Sequence, residues 1–282
     1  MPVIDLHSHS RYSDGALSPA ELVARAHARG VTALALTDHD SVRGVAEAMA
    51  AGRELGVELI PAVELSAIWR HWTVHLVGLQ LDIDEPGLKA ALHLQAGARG
   101  LRAQQIAQRF DKLGIAGSYA AVLALAGDPD SISRTHFAQW LLAQGRVNTM
   151  QQAFDRYLGQ GKPADVPLPW MPLADAVAVI RAAGGHAVLA HPGRYDMTRT
   201  KLRELLTTFK AAGGVGMEVA TATEKPDIVR YLGQLSTQFD LYASQGSDFH
   251  GAHMPWIELG RFPELPAGCK PVWQLWQPPL EA

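Results

Sequence analysis

A single cysteine, Cys269, stands among 282 residues, which excludes an internal disulfide framework and a thiolate-rich zinc site. Any metal is therefore expected on nitrogen and oxygen ligands, and a reducing, cytoplasmic location is the expectation. Charge of one sign is scarce too: 25 Lys and Arg stand against 28 Asp and Glu, a formal net charge of −3. With no basic field to hold a long polyanion, duplex nucleic acid is not an expected partner, and any nucleotide contact has to come from local arginines. No stretch approaches the ~18 consecutive apolar residues that span a bilayer, and no basic segment leads into an apolar run at the start, so neither membrane association nor export is expected. With 48% hydrophobic residues the chain can build one enzyme-sized domain, or a core domain with an insertion.

The chain opens MPVIDLHSHSRYSD. Residues 3–6 read as a short apolar strand, and side chains alternate along a strand, so Asp5, His7 and His9 are expected on one side. Two imidazoles at the end of a buried strand are costly unless they bind something. For this stretch alone, a metal ion and a hydrogen-bonded histidine pair are both open readings.

A grammar of helix, glycine and aliphatic strand then repeats. Ser18-Pro19-Ala20-Glu21 has the form of a capping box with proline at the first helical position, predicting a helix to Arg29 that Gly30 stops. A strand over 31–36, a helix over 42–55 closed by Gly56, and extended stretches over 57–65 (broken by Pro61) and 72–81 follow. Helices over 173–183, 199–212 and 227–239 later alternate with strands over 186–190, 215–219 and 241–244. Alternation of this kind predicts parallel βα units, and about seven strands predict an α/β fold with a closed or nearly closed barrel. Segments 1–82 and 169–282 form that barrel. Between them, 83–168 has helical periodicity only, over 88–113, 119–126, 135–143 and 150–158, an all-helical insertion suited to a substrate lid.

The strand ends carry the chemistry. They hold His7 and His9, then Thr37-Asp38-His39-Asp40, Glu64, His75, His191, Glu218 and Ser247-Asp248-Phe249-His250. In a βα barrel the carboxyl ends of all strands share one face, where sites are built. By contrast His27, His71, His93, His186 and His253 read as surface or hydrogen-bonded residues with no role.

Together D-L-H-S-H-S-x-x-S-D-G at 5–15, T-D-H-D at 37–40, V-E-L-S at 63–66, V-H-L-V-G at 74–78, A-H-P at 190–192 and S-D-F-H at 247–250 resemble the PHP (polymerase and histidinol phosphatase) family of metal-dependent phosphoesterases. The resemblance implies a distorted (β/α)7 barrel and three divalent metal ions, manganese first, with iron and zinc as alternatives. It implies one ion on His7, His9, Glu64 and Asp248, a second on the bridging Glu64 with His75 and His191, and a third on Asp14, His39 and His250. Three divalent ions against the carboxylates Asp14, Glu64 and Asp248 leave about three positive charges, which a phosphate dianion and a hydroxide balance. Hydrolysis of a phosphoester is the implied reaction. A metal-bound hydroxide attacks phosphorus in line, and Asp38 and Asp40 orient ligands, Asp40 being also the candidate to steer a proton.

In the insertion, Arg99 and Arg102 lie three apart on a helix, and Arg134 opens the segment Ser133-Arg134-Thr135-His136-Phe137. These arginines, with His136, are the candidate substrate contacts; His136 is also an alternative ligand for the second ion. Arg109, Arg146 and Arg156 read as solvated surface. The segment resembles the branch of the family acting on nucleotides and short RNA. That implies removal of the 3′-phosphate from adenosine 3′,5′-bisphosphate, or alternatively 5′→3′ cleavage of short 5′-phosphorylated RNA. A histidinol phosphate phosphatase and a non-catalytic nucleotide sensor are more distant alternatives. Trp69, Trp72, Trp140 and Trp170 are candidates to stack on a base.

Overall fold

The computed structural model describes residues 2–276 apart from Pro169 and His253, so the histidine at 253 lies outside the described residues. The chain forms β1 (Val3–Asp5), α1 (Pro19–Ala28), β2 (Val31–Leu36), α2 (Val45–Leu55), β3 (Glu58–Trp69) and β4 (Trp72–Leu79). Helices α3 (Pro86–Lys112), α4 (Ser118–Ala126), α5 (Arg134–Ala143) and α6 (Met150–Ala153) follow, the last running into a π-helical turn over Phe154–Leu158. Then come β5 (Met171–Pro172), α7 (Leu173–Ala182), β6 (His186–Leu189), α8 (Arg199–Ala211), β7 (Gly216–Thr221), α9 (Pro226–Gln238) and β8 (Tyr242–Gly246). Among the described residues no helix is long and apolar enough to cross a membrane.

Local chemistry accounts for the boundaries. At α1 the capping box is reciprocal: Glu21 N donates to Ser18 Oγ at 3.2 Å while Ser18 N donates to Glu21 Oε2 at 2.8 Å, satisfying two donors at the helix start. Leu22, Val23 and Ala26 then face inward, the i, i+1, i+4 spacing of an apolar stripe. α2 closes on Gly56 with φ of 72°, a left-handed backbone that glycine adopts without strain.

The sheet has eight strands in the order β1-β2-β3-β4-β6-β7-β8, with β5 added to β3. It is mostly parallel, but β4 runs antiparallel to both β3 and β6. This departs from the uniform βα alternation expected from sequence. Two residues, Arg70 and His71, connect Trp69 to Trp72, and a parallel crossover needs a dozen or more; a hairpin is the available connection, with Arg70 at φ of 57°. Pro61 does not break β3 as expected. Its carbonyl accepts from Leu81 N at 3.1 Å, while the β3–β4 ladder starts one residue later at Ala62↔Leu79, so the missing N–H costs no ladder bond.

The chain divides into two compact units, Met1–Ala91 with Trp170–Ala282, and Leu92–Pro169. In the first, alternate strand residues Ile4, Ala33, Ala35, Ile60, Val77 and Val188 pack into one apolar cluster with Trp273 and Trp276. Leu34 and Leu36, on the other face of β2, pack against α1 and α2. Both faces of the sheet are thus covered, as a mostly parallel sheet requires. The helical unit has its own core around Phe110, Phe137, Leu141 and Leu158.

Candidate metal centre

The segment after β1 is pinned by its neighbours. Asp38 Oδ1 accepts from Ser10 N at 2.7 Å and Ser13 Oγ at 2.6 Å, and its Oδ2 accepts from Ser10 Oγ at 2.6 Å. Ser8 N donates to Thr37 Oγ1 at 3.1 Å, Leu6 N to Gln245 O at 3.1 Å, and Asp248 N to His7 O at 2.8 Å. At Gly246 a Cβ would lie 2.4 Å from the His7 Cβ, so only glycine lets β8 approach His7 this closely. Asp5 does not join the histidines, contrary to the alternation expected from sequence. Strand β1 stops at Asp5, whose carboxylate instead accepts from Ser247 N and Gly260 N, each at 2.8 Å. Asp5 ties loops together.

Eight side chains converge around Glu64. Its Oε1 lies 2.9 Å from His75 Nδ1 and 3.0 Å from His191 Nε2. Its Oε2 lies 2.9 Å from His39 Nδ1 and 3.3 Å from both His7 Nε2 and His9 Nε2. Asp248 Oδ1 is 3.4 Å from His7 Nε2, 3.1 Å from His9 Nε2 and 3.6 Å from His250 Nδ1. Asp14 Oδ1 completes the set, 3.3 Å from His250 Nε2 and 3.8 Å from His39 Nε2. All nine residues implied as ligands by the resemblance meet here. Three groups bring their ligand atoms within 4.8 Å of one another: His9, Asp14, His39 and His250; His7, His9 and Asp248; and His39, Glu64 and His75. All three differ from the implied partition: His9 also joins the Asp14 group, the His7 group lacks Glu64, and His39 stands with Glu64 and His75 where His191 was implied.

The donor set fits divalent cations. His7 Nε2 and His9 Nε2 point at each other at 3.1 Å, and His7 Nδ1 sits 2.7 Å from Glu218 Oε1. A donor bond from Nδ1 to that carboxylate leaves the lone pair of Nε2 facing the cluster, as in carboxylate–histidine–metal arrangements. Glu64 Oε2 is buried without a hydrogen bond of acceptable geometry, an acceptor that a cation would satisfy. Nitrogen and carboxylate ligands of this kind suit divalent metal ions.

Several contributors were not assigned roles from sequence. Glu218, recognised only as a strand-end acid, holds His7 and also accepts from His191 N at 2.5 Å. Arg194 pairs with Asp248 Oδ2 and donates to Thr223 Oγ1 at 3.2 Å; its one sequence signal was adjacency to A-H-P. Asp40, by contrast, was read from sequence as orienting a ligand; it accepts from Ser66 N at 2.8 Å and Ser66 Oγ at 2.9 Å, holding β3 two residues beyond Glu64.

Protons and carboxylates balance each other among these side chains. Burial opposes ionisation of Glu64, but His39, His7 and His75 outweigh it and hold its carboxyl well below the usual range. Burial likewise pulls His7 down, yet Glu218, Glu64 and Asp248 lift it well above its ordinary value. His250 is pulled down by burial and carried up to about 9 by Asp14 and Asp248, while burial and the neighbouring His250 drive His9 down to about 3. His7 and His250 therefore bind protons more tightly in the folded than in the unfolded chain. Their contribution to stability is present below the unfolded value of 6.5; that of His250 is lost as pH rises through about 9, and that of His7 is lost as pH rises through its own raised value. Chelator-stripped protein is expected to melt at a lower temperature at pH about 9 than at pH about 6.5; a melting temperature that rises across that window would contradict the balance described.

The family model named PHP domain matches residues 5–166, more than half of the chain. The chain belongs to the PHP family. A 3′,5′-nucleoside bisphosphate phosphatase of Chromobacterium violaceum is 45% identical to this PHP chain over 274 residues, 97% of this chain and 96% of that protein. A 5′-3′ exoribonuclease of Haemophilus influenzae is 45% identical over 270 residues, 96% of this chain and 97% of that protein. A solved structure from Chromobacterium violaceum, described as an amidohydrolase with bound sulfate and no metal, superposes with a TM-score of 0.93 at 45% identity, over 97% of this chain and 95% of that one.

The helical unit of this PHP chain gathers the three arginines. Arg102 Nε donates to Val166 O at 2.8 Å and Arg134 Nη1 to Leu158 O at 3.3 Å, the Arg134 guanidinium lying 5.8 Å from the Phe154 ring centroid. Burial, together with repulsion from Arg134 and Arg99, pushes Arg102 down to about 9, Asp165 opposing. Clustered guanidiniums that repel one another favour an anion. His136 Nδ1 accepts from Ser133 N at 3.0 Å, closing a capping box at α5; the histidine at Glu64 Oε1 beside His75 is His191. Arg109, Arg146 and Arg156 are exposed, as read from sequence. The tryptophans are largely interior: Trp69, Trp140 and Trp170 are 5%, 8% and 6% exposed, which makes them packing residues rather than stacking platforms. Trp72 stacks on Trp69 at 5.5 Å.

Proposed function

We propose that this chain hydrolyses the 3′-phosphate of nucleoside 3′,5′-bisphosphates, releasing a 5′-nucleotide and phosphate. At the coarser level it is a metal-dependent phosphoesterase, a phosphoric ester hydrolase of the PHP family. The observation that carries the finer reading is the arginine cluster of Arg99, Arg102 and Arg134, whose guanidiniums repel one another and so favour an anion. A nucleoside bisphosphate carries a second phosphate besides the one that reacts. His7, His9, Glu64 and Asp248 would hold one ion, Glu64, His75 and His191 a second, and Asp14, His39 and His250 a third. Bound there, the ions lower the pKa of water and neutralise charge building on the phosphoryl oxygens. Glu218, Arg194 and Asp40 hold ligand side chains or their strands, and Arg99, Arg102 and Arg134, with His136, bind the 5′-phosphate. The hydrogen bonds joining the ends of β1 and β8 support the sheet as a distorted seven-strand barrel with β5 as an appendage, which would place these strand ends on one rim.

The 45% identity to an exoribonuclease favours a second reading, in which the same 3′ linkage is cut while more chain departs. The acidic net charge of −3 gives little help along a polymer, so the mononucleotide is preferred. The test is turnover by manganese-loaded protein on adenosine 3′,5′-bisphosphate, 3′-AMP, AMP, short 5′-phosphorylated RNA and histidinol phosphate. The bisphosphate is expected to give the highest kcat/KM. A higher value on RNA would replace this reading by the exonuclease, and tight nucleotide binding without turnover would make the chain a sensor.

A further inference from the structure

β4 and β6 pair antiparallel through Leu76↔Leu189 and Val77↔Val188, and one more step of that register sets His75 opposite Ala190. Alternate facing pairs of an antiparallel ladder exchange two N–H···O bonds. At this step one of the two is direct, Ala190 N to His75 O at 2.9 Å. The other is split: His75 N donates to Tyr195 Oη at 2.9 Å, and Tyr195 Oη donates to Ala190 O at 2.8 Å. A phenolic hydroxyl is lodged in the ladder where a direct bond would ordinarily close it.

The place of this insertion matters. It falls at the last pair before the chain leaves β6 for His191, at the point where β4 carries His75. Both imidazoles meet the same oxygen, Glu64 Oε1, at 2.9 and 3.0 Å, and their rings stand edge to face at 5.3 Å. The arm that returns Tyr195 is short. It starts from His191 itself, in the left-handed region at φ of 30°, and passes through one tight turn over Pro192–Arg194; the Tyr195 ring then lies edge to face with His191 at 5.7 Å. A sheet does not need a hydroxyl here, since strands bond directly by default, and a buried phenol is tolerated only with both its bonds made. With both bonds made, the group is a donor to Ala190 and an acceptor from His75.

We infer that Tyr195 is a positioning residue for the ion assigned to Glu64, His75 and His191, its hydroxyl setting the spacing of the two strand ends that carry those histidines. The inference rests on reading the cluster as a metal centre. Removing the oxygen either lets the ladder close or leaves the His75 amide and the Ala190 carbonyl unpaired, and both change the approach of the two imidazoles to Glu64 while leaving the other ligands where they are.

The test is metal titration of chelator-stripped Tyr195→Phe beside wild type, with bound equivalents counted by elemental analysis and affinities read by competition with a chelator. One equivalent is expected to weaken by roughly 10- to 100-fold, the usual scale for a group that orients a ligand, while the remaining equivalents keep wild-type affinity and thereby report a folded protein in the same sample. His75→Ala identifies the equivalent. The double variant Tyr195→Phe/His75→Ala is expected to bind metal no more weakly than His75→Ala alone, because the two changes act on one ion. Unchanged affinity for every equivalent overturns the inference, and so does equal weakening of all of them, which would make the tyrosine a general support of the fold. A wild type that binds no metal would remove the metal centre itself, a separate result from either.

Discussion

Glu64→Gln is expected to strip bound metal and to lower turnover by more than about 10³-fold, which at 1.4 kcal/mol per decade is ~4 kcal/mol of transition-state stabilisation. Glu64 is the residue shared by the most contacts in the centre, two histidines on one oxygen and three on the other. Glutamine keeps the shape, but it replaces one acceptor by a donor and deletes the charge that holds His39, His7 and His75 around it. The bridging of two ions proposed for this side chain would thereby be lost. The fold is expected to survive, because β3 is held to β4 by a main-chain register of eight pairs from Ala62↔Leu79 to Trp69↔Trp72, none of which uses the carboxylate. Elemental analysis and circular dichroism of the same sample decide the matter. Wild-type metal content with full activity would dismantle the assignment of Glu64 as a shared ligand.

Where the sequence could be read and where it could not follows from separation along the chain. The capping box at Ser18–Glu21 and strand β2 over Val31–Leu36 were legible because their determinants are local: a reciprocal pair three residues apart, and an unbroken aliphatic run before Thr37. The nine residues of the cluster, Glu64 among them, were legible for another reason, as short strings at strand ends whose order resembles a known family. The partners that hold them were not. Glu218 reaches His7 from 211 residues away, and Tyr195 reaches His75 from 120; neither contact leaves a periodic or spaced pattern. Asp5 misled because period-two alternation was extended past the residue where β1 stops. The β3–β4 hairpin was within reach, since a two-residue connection cannot make a parallel crossover, but the expectation of βα repetition overrode it.

The arginine cluster carries the step from phosphoesterase to nucleotide bisphosphate, and Arg134→Ala is expected to lower kcat/KM for adenosine 3′,5′-bisphosphate by about 30-fold, equivalent to the ~2 kcal/mol typical of a hydrogen bond to a charged group. Hydrolysis of 3′-AMP, which has no 5′-phosphate, is expected to change little. In the proposed reading the phosphate held by Arg134 is not the one that reacts, so the contact would act through binding and positioning. Arg134 also has structural work, donating to Leu158 O and lying over Phe154, and loss of these contacts alone would depress both substrates alike through a less stable helical unit. The ratio of the two rates separates the cases. An equal loss on both with an unchanged melting temperature would place Arg134 at the reacting phosphate, an equal loss with a lowered one would make it a support of the Phe154–Leu158 turn, and no loss on either would leave the bisphosphate reading without its anchor. Burial and the neighbouring guanidiniums push Arg102 down to about 9, which still leaves it almost fully charged near neutral pH, so removing Arg134 recruits no new charge at Arg102 and the ratio of the two rates reports on Arg134 itself.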